Sequence, residues 1–362
     1  MTTKEKVLEI LTKKSGDSIP ISGEKLAEAC GVSRAAIWKA MNSLREEGCQ
    51  IEGTTNGGYI LQGSADIFSK ENLELFLAKK YPDLAASPAG NPPGCMVECF
   101  KTIDSTNTYA KQLLSHEPAR KLHNKIIVAE SQTAGRGRLG RTFVSPAKTG
   151  IYITVIFAPA GGITEPAKIT AFAAVAICRV IQRLYNISPK IKWINDIFIN
   201  GHKVAGILTE GTTNFETGSI DAAVIGMGIN ISDNQELFAA HKIAGSITGS
   251  QGAGNRTAGR ADKPQITRSQ LAAEIAGETL SILEEDSATV MAEYKAHSFL
   301  IGQTVKVHPI IGDDKSIYEA KVLDIDHKAG LVVQLKDGSK KTLSSGEVSL
   351  HSEEQRRSSS PE

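Results

Sequence analysis

Between Ser131 and Ser145 the chain reads SQTAGRGRLGRTFVS, with Gly135, Gly137 and Gly140 alternating with Arg136, Arg138 and Arg141 and no acid among them. Glycine permits positive φ and lets backbone N–H groups approach a ligand closely. Arginine presents a planar, permanently charged fork suited to phosphate or carboxylate oxygens. The run therefore reads as an anion-gripping loop, with a solvated basic loop as the plainer alternative. It lacks the GK[ST] ending of a P-loop. Lys125–Glu130 reads as the strand that delivers the chain into this loop, and Gly150–Ala158 (GIYITVIFA) as a buried β run beyond it.

A length of 362 residues allows two or three domains, and an apolar share of 41% is enough for packed cores. The net charge of +1 confines any nucleic-acid contact to a local patch. Five cysteines, an odd number with no CxxC pair, argue for reduced thiols in a cytoplasm. Cys95 and Cys99 are spaced CxxxC without a second pair to complete a zinc site, and the histidines show no HExxH or HxxxH spacing. No metal site of the protein's own is expected. The opening MTTKEKVLEI lacks a signal-peptide apolar core. Ile169–Ile181 is too short to span a bilayer and is interrupted by Arg179. A soluble, cytoplasmic protein without a membrane partner is expected.

The first sixty residues follow one pattern. Lys4–Lys14 places Val7, Leu8, Ile10 and Leu11 on one helical face. Ser22 can cap a second helix, Cys30–Gly31–Val32 makes a tight turn, and Ser33 caps a third helix, Arg34–Glu46. Helix, glycine turn, helix is the helix-turn-helix arrangement. Arg34, Lys39 and Arg45 give the third helix a basic face opposite Ile37, Met41 and Leu44. Cys49–Leu61 reads as a hairpin turning at Asn56–Gly57, the wing of a winged helix. Ser33 and Arg34 are expected to enter the major groove, with Lys39 and Arg45 at phosphates. A helical interaction module with a solvated polar face is the bland alternative. One small winged helix binds weakly, so two copies on a two-fold operator are expected.

Gly63–Lys80 reads as linker and helix, and Tyr81–Gly94 as a proline-rich boundary. Met96–Ile103 reads as a strand, followed by Asp104–Ser105–Thr106–Asn107 opening a helix through Leu114. Helix capping alone would explain Asp104 or Ser105. Pro166–Tyr185 reads as a long helix and Ile191–Asp196 (IKWIND) as a strand ending in polar groups. Asn200–Gly201 makes a hairpin turn before Lys203 and the small pair Ala205–Gly206. Gly226–Met227–Gly228 lies in the strand Ile220–Ile231, and a lone GxG there is often only a bulge. Gly245–Asp262 reads as a mobile Gly/Ser/Ala-rich insertion. Arg268–Glu285 and Ala288–His297 read as helices. Short strands follow from Ile301, with turns at Gly312, Lys328–Gly330 and Asp337–Gly338, as in a small antiparallel barrel.

DSTN at Asp104–Asn107, GRGRLGR at Gly135–Arg141, KWIND at Lys192–Asp196, KVAGIL at Lys203–Leu208, GMGIN at Gly226–Asn230 and SSGEVSL at Ser344–Leu350 stand behind the winged helix in that order. This series resembles the bifunctional biotin–protein ligase and biotin operon repressor family over roughly Lys4–Leu350. The resemblance implies an α+β multidomain fold: an N-terminal winged helix-turn-helix (1–62), a linker and helix (63–95), a central mixed α/β ligase domain (96–300), a small C-terminal antiparallel β-barrel (301–350) and a disordered tail (351–362). It implies that biotin's carboxylate attacks the α-phosphate of ATP, giving biotinyl-5′-AMP, and that a lysine of a biotin carboxyl carrier protein then takes the biotin.

Carried onto this chain, the resemblance puts Ser105, Thr106, Asn107 and Gln132 at biotin, with Arg136, Gly137 and Arg138 closing over biotin and phosphate. Lys203 is implied as the electrophilic lysine, with Arg136 and Arg138 beside it in catalysis. Arg141, Phe143, Asn195, Asp196 and Asn230 fall on the ATP side, where Mg²⁺ accompanies the nucleotide. Phe143 stands where a tryptophan is common, and Ile194 where a proline is common. Core packing for Trp193 and a strand-end role for Asn195 are the structural alternatives. The implied partners are the carrier protein, operator DNA and, with adenylate bound, a second copy of the chain. A ligand-sensing repressor without ligase activity and a lipoate or octanoate ligase-like enzyme are the competing readings.

Overall fold

The computed structural model describes residues 2–14, 20–46, 49, 51–54, 57–61, 68–85, 96–213, 218–234, 243–249, 266–309 and 316–350. Asn56 and Gly312 of two expected turns, Cys95, residues 250–262 of the expected insertion, 62–67 and 86–95 of the linker and boundary, and the tail from 351 lie outside them. The chain divides into two compact units, Met1–Leu73 with Thr257–Leu271, and Glu74–Arg256 with Ala272–Glu362.

In the first unit, α1 (Thr3–Lys14), α2 (Gly23–Cys30) and α3 (Arg34–Glu46) precede a hairpin of β1 (Ile51–Thr54) and β2 (Gly58–Leu61). Ser22 Oγ accepts the Lys25 N–H at 3.2 Å, and Ser33 Oγ accepts that of Ala36 at 3.2 Å, so both expected caps form. Gly31 ends α2 at φ 69°, a left-handed conformation that favours glycine. Val7, Leu11, Leu26, Ile37, Met41 and Leu44 form one core, closed by Ile51 and Leu61 of the hairpin. Each such side chain contributes roughly 1.5–3 kcal/mol on burial. Ile21 pairs with Tyr59, extending the wing by one bridge.

The second unit is built on a sheet in the order β3-β4-β5-β9-β8-β7-β6. Its strands are β3 (Val97–Phe100), β4 (Lys125–Ala129), β5 (Gly150–Phe157), β6 (Lys190–Lys192), β7 (Asp196–Ile199), β8 (His202–Thr213) and β9 (Ile220–Asn230). The β3–β4 pair is parallel and the other pairs are antiparallel. β5 is buried along its whole length, which explains an apolar run without alternation. The helices of this unit begin with α4 (Lys70–Lys80), which starts at the unit boundary, and α5 (Pro82–Ala85). They continue with α6 (Thr106–His116), α7 (Pro166–Tyr185), α8 (Arg268–Ile282), which belongs to this unit from Ala272 on, and α9 (Ser287–His297). α6 and α7 pack on the sheet, and α9 packs on α7.

Arg179, which interrupts the apolar run of α7, is ion-paired with Glu278, Glu285 and Glu293. Among the described residues no helix is long and apolar enough to cross a membrane.

The run expected as one strand, Ile191–Asp196, is a hairpin. β6 ends at Lys192, the chain turns through Trp193–Asn195, and β7 returns antiparallel with Asp196 opposite Lys192. The turn carries Trp193 into the interior, 4% exposed, with its indole N–H donating to Ala329 O at 2.8 Å. Core packing is thus Trp193's place. Five further strands, β10 (Thr304–His308), β11 (Tyr318–Ile325), β12 (Leu331–Gln334), β13 (Lys340–Leu343) and β14 (Glu347–Ser349), form an antiparallel sheet in the order β13-β12-β11-β10-β14.

Candidate functional site

A cavity of about 470 Å³, part of it open to solvent, lies where the arginine–glycine loop meets α6, β8 and β9. Ser105, Thr106, Asn107, Gln132, Arg136, Gly137, Arg138, Phe143, Asn195 and Lys203 all line it, although they are spread over almost a hundred positions of sequence. Tyr152, Gly206, Ile207, Leu208, Gly226, Met227 and Gly228 complete the wall.

The start of α6 supplies one side. Ser105 is its N-cap, accepting the Thr108 N–H at 3.4 Å, so capping and site-lining coincide in one residue. Gln132 Oε1 accepts from the Thr106 N–H at 2.9 Å, and Gln132 Nε2 donates to Ser145 Oγ at 2.9 Å. Asn107 is 4% exposed and held from three directions. Its Nδ2 donates to Leu208 O at 3.2 Å and to Glu210 Oε2 at 2.9 Å, while Oδ1 accepts from Thr154 Oγ1 at 2.7 Å. Glu210 is in turn ion-paired with Lys111 at 2.7 Å. Burial would raise the Glu210 carboxyl, but hydrogen bonds from Lys111 and Asn107, with the Arg136 charge nearby, outweigh it and hold the group below its ordinary range.

The floor is glycine. A Cβ on Gly226 would run into the Asn107 amide, and one on Gly228 into the Phe143 ring. One on Gly206 would meet Lys203 Nζ at 3.2 Å. The GxG of β9 is therefore a site of close approach, and its meaning comes from Phe143 and Asn107 above it. Phe143 also meets Tyr152 edge-on, ring centroids 6.3 Å apart.

The arginine loop is fastened at several points. Arg136 bridges to Thr142, and Gln132 to Ser145. Leu139 at φ 61° and Gly140 at φ 76° form its tip. Arg138 donates to Asn195 Oδ1 at 2.9 Å and to Gly346 O at 3.1 Å. Asn195 Nδ2 donates to Ile207 O at 3.0 Å, so the strand-end role and the cavity-lining one are both filled. Lys203 Nζ lies 2.7 Å from Asp196 Oδ1. Cations from two elements thus border one cavity, an arrangement that draws together anionic groups and stabilises charge developing on their oxygens.

Three expected residues, Arg141, Asn230 and Asp196, stand apart from this cavity wall. Arg141 is paired through both guanidinium ends with the Glu347 carboxylate of β14, and Asn230 is buried with Nδ2 donating to Gly245 O at 3.1 Å. Asp196 stands behind Lys203. Glu210 and Thr154, which fix Asn107, were missed. Alternation along β8 puts Gly206, Leu208 and Glu210 on one face and could have flagged Glu210.

In the first unit, the capping Ser33 and, on α3, Arg34, Trp38, Lys39 and Arg45 are exposed. Arg45 is turned back, however: its Nε donates to Ile51 O at 2.9 Å and its guanidinium lies 5.9 Å from the Tyr59 ring centroid.

A winged helix-turn-helix unit and a mixed-sheet unit with cations around a glycine-floored cavity define a two-part chain, a DNA-binding type of module with a ligase type of fold. Residues 3–60 match an HTH domain, 99–230 the Biotin/lipoate A/B protein ligase family, and 300–351 the Biotin protein ligase C terminal domain. The Bifunctional ligase/repressor BirA of Bacillus spizizenii is 31% identical over 237 residues, covering 66% of this chain and 67% of that protein. The protein of the same name from Escherichia coli is 29% identical over 337 residues, 92% of this chain and 94% of that one. The solved biotin protein ligase of Aquifex aeolicus, in complex with biotin and ATP, shares the fold at a TM-score of 0.54 and 21% identity, over 70% of this chain and 97% of its own. The chain belongs to the bifunctional ligase/repressor family.

Proposed function

We propose that this protein activates biotin with ATP, transfers it to a lysine of a biotin carboxyl carrier protein, and represses transcription from operator DNA with biotinyl-5′-AMP as corepressor. One observation carries the reading: Arg136, Arg138 and Lys203 border the same glycine-floored cavity as Ser105, Thr106, Asn107 and Gln132, in a chain that begins with a winged helix.

Ser105, Thr106, Asn107 and Gln132 bind biotin's polar ring atoms. A biotin carboxylate oxygen attacks the α-phosphorus of ATP, the bond to the β-phosphate bridge breaks, and pyrophosphate leaves. Both reactants are anions, so Lys203, Arg136 and Arg138 are needed to bring them together and to stabilise charge on the phosphate oxygens. Phe143 stacks on adenine above Gly206 and Gly228, with Arg141, Asn195, Asp196 and Asn230 on the nucleotide side. The carrier's uncharged lysine amine then attacks the acyl carbon, the acyl–oxygen bond to phosphate breaks, AMP leaves and one proton is released. Gly137 and the loop around it keep water from the mixed anhydride meanwhile.

Mg²⁺ fits as an ion carried by the nucleotide phosphates and water, with Asp196 as the protein carboxylate at hand. Among the described residues no group of three or more His, Cys, Asp or Glu side chains is gathered for a metal. The C-terminal strands act as a small barrel behind the loop. Ser33, Arg34 and Lys39 face DNA, while Arg45, expected at a phosphate, is tied back to Ile51 and Tyr59, and the adenylate favours a homodimer in the cytoplasm. By linkage, a ligand that promotes the dimer binds the dimer more tightly.

Biotin-dependent exchange of labelled pyrophosphate into ATP tests the first half-reaction. Exchange supported by biotin and not by lipoate is expected. Exchange with lipoate alone would move the assignment to a lipoate ligase, and none with either would leave a sensor.

A further inference from the structure

Trp38 is 60% exposed in the middle of α3, whereas Ile37, Met41 and Leu44 of the same helix are at most 1% exposed. An indole is among the largest apolar groups a chain can bury, and the core of this unit does not use it. At about 100° per residue, the exposed arc of α3 runs from Arg34 through Trp38, Asn42 and Ala35 to Lys39. Trp38 therefore lies inside the arc, with a cation on each flank. Arg45 falls beside Arg34 on that arc, yet its Nε is committed to Ile51 O at 2.9 Å. No acid occupies the first turn of α3.

Charge on the flanks and an apolar plate between them match a duplex major groove. Its two rims are phosphate, and its floor offers one apolar group, the C5-methyl of thymine. Resting on the DNA-binding reading above, we propose that Trp38 is a specificity-determining residue whose ring packs on a thymine methyl, while Arg34 and Lys39 supply the sequence-independent charge. A phosphate-directed role fits less well, because the indole has a single donor and no charge.

The test works without a defined operator sequence. The full chain, with biotin and Mg²⁺–ATP, selects duplexes from a random pool. Each thymine of a selected duplex is then replaced by deoxyuracil, which removes only the methyl. Wild type should bind about four-fold more weakly at one or two positions per half-site, the factor that burying one CH₂-sized group supplies. Trp38→Ala should bind the thymine duplex more weakly and show no deoxyuracil penalty at those positions, while Trp38→Phe should keep part of it. An equal penalty in wild type and Trp38→Ala, or unchanged affinity of Trp38→Ala for the thymine duplex, would overturn the proposal and leave DNA binding standing. Failure of wild type to select any duplex would remove the DNA-binding reading and this proposal with it. Wild type offers a second readout: the selected duplex should shield Trp38 from acrylamide quenching, since the other tryptophan, Trp193, is 4% exposed. Unchanged quenching would contradict the contact.

Discussion

Lys203 Nζ and Asp196 Oδ1 lie 2.7 Å apart across the β7–β8 hairpin, with side chains 33% and 22% exposed. This hairpin turns at Asn200 (φ 50°) and Gly201 (φ 78°), and the turn before it, between β6 and β7, carries Trp193 inward. The ammonium is thereby held over Gly206, where a side chain would block it. Lys203→Ala should lower biotin-dependent pyrophosphate release by about 10²–10³, the range for losing one donor to developing charge. The half-exposed lysine supports no core, so far-UV circular dichroism should be unchanged. Normal pyrophosphate release by this variant contradicts the role.

Glu210 gives a prediction in pH. Its folded carboxyl is held below the ordinary glutamate value by Lys111 and Asn107. Its stabilisation is therefore present in full above about pH 4.3 and lost as pH falls through the lower folded value. Glu210→Gln should cost roughly 1 kcal/mol at neutral pH and raise the KM for biotin by loosening Asn107. The gap in melting temperature between the two proteins should close on acidification below about pH 4.3. A gap that persists unchanged to about pH 3 would refute the coupling.

The Arg141–Glu347 pair fastens the loop to β14 at little thermodynamic gain, because the arginine side chain is 53% exposed. A double-mutant cycle with Arg141→Ala and Glu347→Gln should return under about 1 kcal/mol of coupling in stability. Without carrier protein, either variant should nevertheless lose its adenylate to hydrolysis faster than wild type. Equal lifetimes would show that the fastening has no part in excluding water.

Arg34 and Arg45 should part company in DNA binding. Arg34→Ala should weaken binding to a selected duplex and change its salt slope, with ligation as the control for folding. Arg45→Ala should chiefly lower the melting temperature of the winged helix, because its guanidinium ties α3 to Ile51 and Tyr59. If both variants change the salt slope equally and neither changes melting, the distinction fails.

Much of this was legible in the sequence because local rules were enough. Ser22, Gly31 and Ser33 announce the ends of the helices, and α3 runs Arg34–Glu46 as read. The Arg–Gly loop between two β runs announces the cavity. What stayed hidden is set by packing over long sequence distances. The turn at Trp193 depends on Ala329, 136 positions away. Asn107 is fixed by Glu210, 103 positions away. Charge alone marks Arg45 as it marks Arg34, and only the hydrogen bond to Ile51 separates them.

The most direct test of the central claim is to mix the protein with biotin, Mg²⁺–ATP and a biotin carboxyl carrier domain, and to weigh the carrier by mass spectrometry. A biotin-sized gain that requires ATP is predicted. No gain, with biotin still bound to the protein, would contradict the ligase assignment and leave a ligand-sensing repressor.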